Sequence, residues 1–358
     1  MQPSQPHNVI ELATTAYQLP LKHVFTIARG STTVRDTLIV SLSSGGQTGY
    51  GEATANSYYN ATIPELQADI EGVTPLLAEF DATEYNSTEP DTLIDRLIPR
   101  LAEALGQKSF ARCALDLAVH DLWGKLRGEP LWKLWGLDPA DAPTSNYTIG
   151  IDSIPKMVEK AKEVADWPLL KIKLGTEEDL DIVRELRRHT DAVFRVDANC
   201  GWTAEQTIAF APELKELGVE FIEQPLPADD REGARRVREE SALPIIADES
   251  CVGESDVARC DGHFHGINIK LTKCGGLAPA RRMVAEARRL GLQVMAGCMT
   301  ESTVGISALG QLAPMLDYVD MDGAALLAED IADGVRVEAG KAHYPDRAGS
   351  GIELLTNL

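Results

Sequence analysis

A repeating pattern of apolar runs and amphipathic stretches organises the chain from about residue 145 onward. Each apolar run is short and rich in valine and isoleucine, which is typical of a buried strand. The stretch that follows has apolar residues three and four positions apart, which is typical of a helix packed on one face. The predicted strands are NYTIGI (146–151), LLKIKL (169–174), VFRVDA (193–198), VEFIEQ (219–224), LPIIAD (243–248), GINIKL (266–271), LQVMAG (292–297) and DYVDMD (317–322).

Alternating strands and helices predict an α/β fold with a parallel sheet covered by helices. Polar residues end successive strands at a regular spacing of 24, 26, 25 and 22 residues, from Lys173 through Asp197, Glu223 and Asp248 to Lys270. One strand and one helix account for each step, so a single module repeats. This regularity favours a TIM-type barrel over the alternative, an open doubly wound sheet.

The first 130 or so residues follow a different pattern. The segments TLIVSLSSGG and QTGYGEA predict a hairpin-like pair of strands, and helices are expected near 62–80, 89–105 and 108–127. We therefore expect an α+β module over 1–130 and the barrel over 131–322. The remaining residues, 323–358, contain glycines and a proline instead of helical periodicity, so this tail is expected to pack back on the N-terminal module.

Composition narrows the classes of function. The chain of 358 residues carries 34 Lys plus Arg against 55 Asp plus Glu, and a formal net charge of −21 disfavours nucleic-acid binding. The opening residues lack the pattern of a signal peptide, and no run approaches the roughly 20 apolar residues that span a bilayer. A cytoplasmic protein without a membrane partner is expected. The six cysteines are scattered without a CxxC pair, which indicates reduced thiols.

Three carboxylates end three consecutive predicted strands: Asp197, Glu223 and Asp248. In a parallel barrel these strand ends meet at one mouth, where active sites lie. A hard cation with oxygen ligands is the ordinary way to hold like charges so close, which favours magnesium, with manganese as a substitute. The competing interpretation makes each acid a capping or salt-bridged loop residue.

Two lysines are expected to flank this metal site. Lys173 and Lys270 end the second and sixth strands, which are four apart in a ring of eight, so both would face one substrate carbon. Lys171 shares a strand face with Lys173. A lysine beside a cation and other lysines is expected to have a lowered pKa, as a general base requires. Metal and lysine together suit removal of a proton alpha to a carboxylate, and a second lysine permits racemisation or epimerisation.

The strand-end series KIKLG, VDAN, EQPLP, ADES and NIKLTKCGG resembles the muconate-lactonizing subgroup of the enolase superfamily, along the whole chain. The resemblance implies a modified (β/α)7β barrel, an N-terminal α+β capping domain completed by the C-terminal tail, and one essential magnesium ion per subunit. It implies Asp197, Glu223 and Asp248 as metal ligands. It also implies an acid/base pair, Lys173 and Lys270, and an enolate-stabilising neighbour, Lys171. Family members often form larger oligomers, which leaves a homo-oligomer open.

The eighth predicted strand ends in Asp320, Met321 and Asp322, and this DxD resembles the pattern of the dipeptide epimerases. In that pattern the paired acids bind the N-terminal ammonium of the substrate. Strand alternation places both acids on one face, where two carboxylates favour a cation. The alternative interpretation is a solvated turn with capping acids.

Two further segments, PLKHVFTIARGS and GCMTES, also resemble dipeptide epimerases. They supply three more predicted substrate-binding residues: Arg29, Met299 and Thr300. In the family, loops of the capping domain close over the substrate, and here these would be the segments around Arg29 and around 57–59.

The leading hypothesis is magnesium-dependent epimerisation of a dipeptide at the alpha carbon of its C-terminal residue, by proton transfer between two lysines through an enediolate. N-acylamino acid racemisation and o-succinylbenzoate synthesis are the alternatives within the subgroup. The DxD discriminates between them, because those substrates carry no free ammonium. A non-catalytic binding barrel is the alternative from another class. The preferred dipeptide does not follow from these motifs.

Overall fold

The computed structural model describes residues 8–28, 30–84 and 92–355. The strands are β1 Glu11–Ile27, β2 Gly30–Ser44, β3 Gln47–Thr54, β4 Tyr147–Ile149, β5 Leu169–Lys173, β6 Val193–Asp197, β7 Val219–Glu223, β8 Ile245–Ala247, β9 Gly266–Lys270, β10 Gln293–Gly297, β11 Tyr318–Asp320, β12 Ala332–Asp333, β13 Arg336–Glu338, β14 Lys341–His343 and β15 Glu353–Leu354. The helices are α1 Ile63–Glu71, α2 Thr74–Leu77, α3 Leu93–Leu105, α4 Ser109–Arg127, α5 Leu131–Leu134, α6 Ile154–Glu163, α7 Asp179–Arg187, α8 Ala204–Glu216, α9 Arg231–Glu240, α10 Glu254–Cys260, α11 Leu271–Cys274, α12 Leu277–Arg289 and α13 Thr303–Leu312.

Strands β4 to β11 form one parallel sheet of eight strands in chain order. Each lies within one of the apolar runs predicted from the sequence. Ser145, just before β4, pairs with Val319 in β11, and its hydroxyl accepts a hydrogen bond from the Met321 amide at 2.9 Å. The first and last strands therefore meet, which confirms the barrel and excludes the open sheet. The strands are nearly continuous apolar runs because helices cover the outside and side chains fill the inside.

Helix α12 shows how the N-terminal module is joined to the barrel. The Asp116 carboxylate of α4 accepts a hydrogen bond from the first backbone amide of α12, at Leu277, at 2.6 Å. Gly276 immediately before the helix has a φ of 116°, and a Cβ there would lie 2.3 Å from Asp116 Cγ. Only glycine fits this position, since both the backbone conformation and the space exclude a side chain.

The N-terminal module contains a three-stranded antiparallel sheet in the order β1-β2-β3, with α1 to α4 beside it. The predicted hairpin is β2 and β3, and the expected helices are present. Strand β1 was not anticipated, because its residues are mostly exposed or half-buried and its pairing with β2 shifts register between Pro20 and Phe25. Beyond this shift the strand contacts the barrel, where the Thr26 carbonyl accepts a hydrogen bond from the Ile151 amide at 2.8 Å.

The chain after β11 forms no closing helix in its described part, as expected, but two small antiparallel pairs, β12 with β15 and β13 with β14. A buried cluster joins this tail to the N-terminal sheet, and it includes Leu19, Ile39, Leu327, Ile331 and Ile352. These contacts fit the predicted capping arrangement, and the boundaries at 130 and 323 stay a prediction. None of the helices in the described ranges combines the length and apolar character that a membrane crossing requires.

Candidate active site

A cavity of about 320 Å³ opens where the barrel strands end and the N-terminal module covers them. The barrel contributes charged side chains to its wall. The N-terminal module contributes residues from the bulged end of β1, the start of β2 and the segment 56–59. The volume lies in the range of small-molecule sites, which begins at roughly 300 Å³.

Three buried carboxylates lie at the ends of adjacent strands. Asp197 and Glu223 end β6 and β7 and are paired in register, and Asp248 follows β8 directly. None is more than 1% exposed, and one oxygen from each lies within 4.8 Å of the others. The sequence predicted this convergence, and the group suits a hard cation because every donor is a carboxylate oxygen.

The three lysines predicted from the sequence contact these carboxylates. Lys173 Nζ lies 2.6 Å from Asp197 Oδ2, and Lys270 Nζ lies 2.8 Å from Asp248 Oδ2. Lys171 Nζ lies 2.7 Å from Glu223 Oε2. The predicted lysines and acids are therefore brought together in one buried network.

The network sets the protonation of the carboxylates. Burial alone would raise the pKa of Asp197, but the ammonium groups of Lys173 and Lys171 lower it to about 2. Burial, followed by the charge of Asp197, raises the pKa of Glu223 to about 7. A cation held by the three carboxylates would favour the charged form of Glu223.

The lowered lysine pKa expected from the sequence is not found at Lys270. Burial acts to lower its pKa, but the Asp248 carboxylate outweighs this effect and raises it above the ordinary lysine value. The expectation counted the cation and the neighbouring lysines but not the carboxylate in direct contact. A cation on Asp248 acts against this rise, because it adds positive charge at the same carboxylate.

Two residues that the sequence reasoning missed hold the triad in place. Lys273, fully buried on α11, donates to Asp248 Oδ1 at 2.5 Å and to the Asp248 and Cys251 carbonyls at 2.6 and 3.0 Å. Asn268 Nδ2 donates to Glu223 Oε1 at 2.8 Å. The sequence positions of both residues could have indicated these contacts. Asn268 shares a strand face with Lys270, and Lys273 lies about one helical turn after Lys270.

Asp320 and Asp322 both line the cavity, as strand alternation predicted. Asp320 accepts from Asn146 Nδ2 at 2.7 Å and contacts Lys171 Nζ at 3.0 Å, while Asp322 accepts from the Thr148 amide at 2.5 Å. Burial, followed by the charge of Asp320, raises the pKa of Asp322 to about 8. For Asp320 the effect of burial is outweighed by Lys171, and its pKa is lowered. This corner favours a positively charged group.

The other predicted substrate contacts come from loops. Met299 and Thr300 line the cavity, and Asn56 Nδ2 donates to Met299 Sδ at 3.6 Å. The segment 57–59 lines it too, whereas Arg29 lies outside the described residues. Arg35, which was not anticipated, lines the cavity from β2 and donates from Nη1 to the Ala55 carbonyl at 3.1 Å.

Two family profiles match the chain. One, described as the mandelate racemase / muconate lactonizing enzyme N-terminal domain, matches residues 9–136. The other, described as enolase C-terminal domain-like, matches residues 156–357. Together they cover both walls of the cavity.

Proteins similar to this chain include epimerases and racemases. An L-Ala-D/L-amino acid epimerase from a Maribacter species is 54% identical over 346 residues, which cover 96% of this chain and 99% of that protein. The structure of a dipeptide epimerase from Methylococcus capsulatus, complexed with Mg and the dipeptide L-Arg-D-Lys, has a TM-score of 0.86 at 33% identity and covers 96% of this chain and 99% of that one. An N-succinyl Arg/Lys racemase from Bacillus cereus has a TM-score of 0.88 at 25% identity and covers 97% of this chain and 96% of that one.

Proposed function

Because the chain belongs to the mandelate racemase and muconate lactonizing enzyme family, we propose that it is a magnesium-dependent dipeptide epimerase acting on the alpha carbon of the C-terminal residue. One observation carries the proposal: a single cavity is lined by Lys173 and Lys270 beside the carboxylate triad and also by Asp320 and Asp322. The named activities of the Maribacter and Methylococcus capsulatus proteins support it.

Asp197, Glu223 and Asp248 are the residues that would hold the magnesium ion. Their oxygens are buried, lie within 4.8 Å of one another and belong to the donor class that Mg²⁺ prefers. When bound, the ion would supply positive charge that stabilises the negative charge appearing on the substrate carboxylate. Manganese is expected to substitute, since it suits the same ligands.

Lys173 and Lys270 are proposed to exchange the proton at the alpha carbon. For one configuration the neutral amine of Lys173 takes this proton as the C–H bond breaks, and the electron pair moves into the adjacent carboxylate to form an enediolate. The ammonium of Lys270 then delivers a proton to the opposite face. The reverse reaction exchanges the two roles, so no further reactant is consumed.

Lys171 is proposed to remain an ammonium throughout the reaction. Burial acts to lower its pKa, but Asp320, Glu223 and Asp197 outweigh this effect and raise the pKa well above the ordinary lysine value. It therefore serves as a fixed positive charge beside the developing enediolate and does not act as a base.

Asp320 and Asp322 are proposed to bind the N-terminal ammonium of the dipeptide, while the segment 57–59 of the N-terminal module covers the substrate and excludes water.

The similarity to the Bacillus cereus racemase favours one second candidate, racemisation of an N-succinyl amino acid. A succinyl carboxylate near Asp320 and Asp322 would meet like charge, which makes this candidate the weaker one.

The test is a dipeptide library incubated with the protein and magnesium in deuterated water. We expect deuterium at the alpha carbon of the C-terminal residue of at least one dipeptide, with loss of stereochemical purity. Exchange confined to N-acylamino acids would replace the proposal with the racemase. No exchange in any substrate would indicate a non-catalytic barrel.

A further inference from the structure

Two carboxyl groups outside the triad and the DxD face each other where the N-terminal sheet meets the barrel. Glu52 lies on β3 and has no exposed surface, and Glu301 follows β10 and is 6% exposed. They are separated by nearly the whole barrel in sequence, so only the fold brings them together. Neither has a role in the reaction proposed above.

Glu52 attaches the N-terminal sheet to helix α13 of the barrel. Its Oε2 accepts from Ser302 Oγ at 2.6 Å and from the Gly305 amide at 2.9 Å, and its Oε1 accepts from the Ser302 amide at 3.1 Å. The hydroxyl of Thr37 on β2 donates to Oε1 at 2.7 Å. Burial raises the pKa of Glu52 above its ordinary value, while the four donors and the helix N-terminus act against this rise and favour the charged form.

Glu301 supports the loop that forms one wall of the cavity. Its Oε1 accepts from the Met299 amide at 2.7 Å, and Met299 and Thr300 line the cavity. A Cβ placed on Gly305 would lie 2.1 Å from Glu301 Oε2 and 3.2 Å from Glu52 Oε2, so both carboxyl groups crowd this glycine. Among the described residues no hydrogen bond joins the two acids.

The charge around Glu301 favours its neutral form. The groups that face it from the surrounding elements are Glu52 on β3, Arg35 on β2, Lys270 on β9, Cys113 on α4 and Cys298 just after β10. Burial, followed by the charge of Glu52, raises the pKa of Glu301 to about 8, because the two cations do not offset these effects. Glu301 is therefore protonated near neutrality and becomes charged in mildly alkaline solution.

We infer that Glu301 is a positioning residue for the cavity wall of Met299 and Thr300, and that its proton keeps this wall packed against Glu52 and the N-terminal sheet. Loss of the proton places a second negative charge beside a buried carboxylate that cannot move, so repulsion displaces the Glu301 loop. Substrate binding then weakens while the lysines remain in place. The expected weakening of substrate binding rests on the proposed function. The expected displacement of the Glu301 loop does not.

The kinetic test compares wild type with Glu301→Gln and Glu301→Ala from about pH 6.5 to about pH 9.5, which brackets the pKa of about 8. We expect the KM of wild type for a dipeptide to rise several-fold across this range, beyond any change in kcat. Glu301→Gln keeps an acceptor for the Met299 amide but cannot ionise, so its KM should rise less than that of wild type. The part of the rise that comes from Asp322, whose pKa is also about 8, is common to both proteins. Glu301→Ala should have a raised KM at every pH. Glu216→Gln, the same change on the exposed end of α8, should behave as wild type. Equal pH profiles for wild type and Glu301→Gln would overturn the inference.

Amide hydrogen exchange tests the wall without any substrate, so it separates this inference from the proposed function. Relative to a peptide of α8, the peptide containing Met299 should lose protection in wild type as the pH rises past about 8. In Glu301→Gln the same peptide should not lose protection. If the variants do not fold, the measurement on wild type is sufficient. Protection of the Met299 peptide that stays constant relative to the α8 peptide contradicts the inference, even if the protein epimerises dipeptides.

Discussion

Lys173 and Lys270 end strands β5 and β9, which lie four strands apart in the barrel, and each donates to a different carboxylate of one triad. Lys173 Nζ is 2.6 Å from Asp197 and Lys270 Nζ is 2.8 Å from Asp248. The two amines therefore approach one buried space from different sides. Under the proposed mechanism, a carbon held in that space would have a proton donor and a proton acceptor on its two faces, which is what inversion requires.

Asp322→Asn should weaken the binding of dipeptides and not that of substrates without an ammonium group. The loss of a charged hydrogen bond costs about 1.5–3 kcal/mol, or roughly a 10- to 150-fold fall in kcat/KM. The asparagine oxygen still accepts from the Thr148 amide, so the backbone contact is kept. The measurement compares a free dipeptide with its N-acetylated form. An equal loss for both would rule out ammonium binding at this corner.

Lys273→Met should destabilise the metal-free protein by about 3–5 kcal/mol, because it leaves one oxygen of the buried Asp248 carboxylate without its cation. Urea denaturation measures the change, and Lys215→Met on the exposed side of α8 is the control. Added magnesium should recover part of the loss, since the ion supplies positive charge beside Asp248. A loss below about 0.5 kcal/mol, as for a surface residue, would contradict the assigned contact.

Glu301→Gln should gain stability relative to wild type as the pH rises. In the folded protein the pKa of Glu301 is raised to about 8, whereas an unfolded glutamate has a pKa of about 4.3. The neutral form therefore contributes stability below about pH 4.3, and this contribution is lost as the pH rises through about 8. Between about pH 5 and about pH 9 the difference in unfolding free energy should shift by more than about 1 kcal/mol in favour of the variant. Urea denaturation measures the unfolding free energy of both proteins at each pH. If the two curves run parallel, the result contradicts the burial of a charged Glu301.

Gly276→Ala should destabilise the fold by more than about 2 kcal/mol, since φ is positive there and the new methyl group meets Asp116. Gly253→Ala is the matched control, because a Cβ there has no atom within 4 Å and φ is −139°. Thermal unfolding of the two variants measures the difference. Similar losses would show that the junction between α4 and α12 is not tightly packed.

Much of the barrel followed from the sequence, because its strands are continuous apolar runs at a regular spacing and the ligand candidates end those runs. Strand β1 did not follow, since its pattern is mixed and its pairing is broken after Pro20. The pair of Glu52 and Glu301 could not be predicted either, because its members are distant in sequence and meet only through the fold. The raised pKa of Lys270 depends on a contact with Asp248 that spacing alone does not show.

Domain boundaries and the cytoplasmic location remain predictions from the sequence, which left a homo-oligomer open. The assignment of Arg29 to substrate binding also stays a prediction, since this residue lies outside the described ranges. The two-lysine mechanism is the central proposal, and isotope exchange reports on it directly.

The decisive measurement is solvent deuterium exchange at the alpha carbon for wild type, Lys173→Ala and Lys270→Ala, using a dipeptide of each configuration at its C-terminal residue. Wild type should incorporate deuterium into both and interconvert them. Each variant should lose epimerisation by roughly 10²- to 10⁴-fold. Each should keep exchange with one configuration only, and the retained configurations should be opposite. Lys215→Ala on α8 serves as the control. Epimerisation at the wild-type rate by either lysine variant would contradict the two-base account.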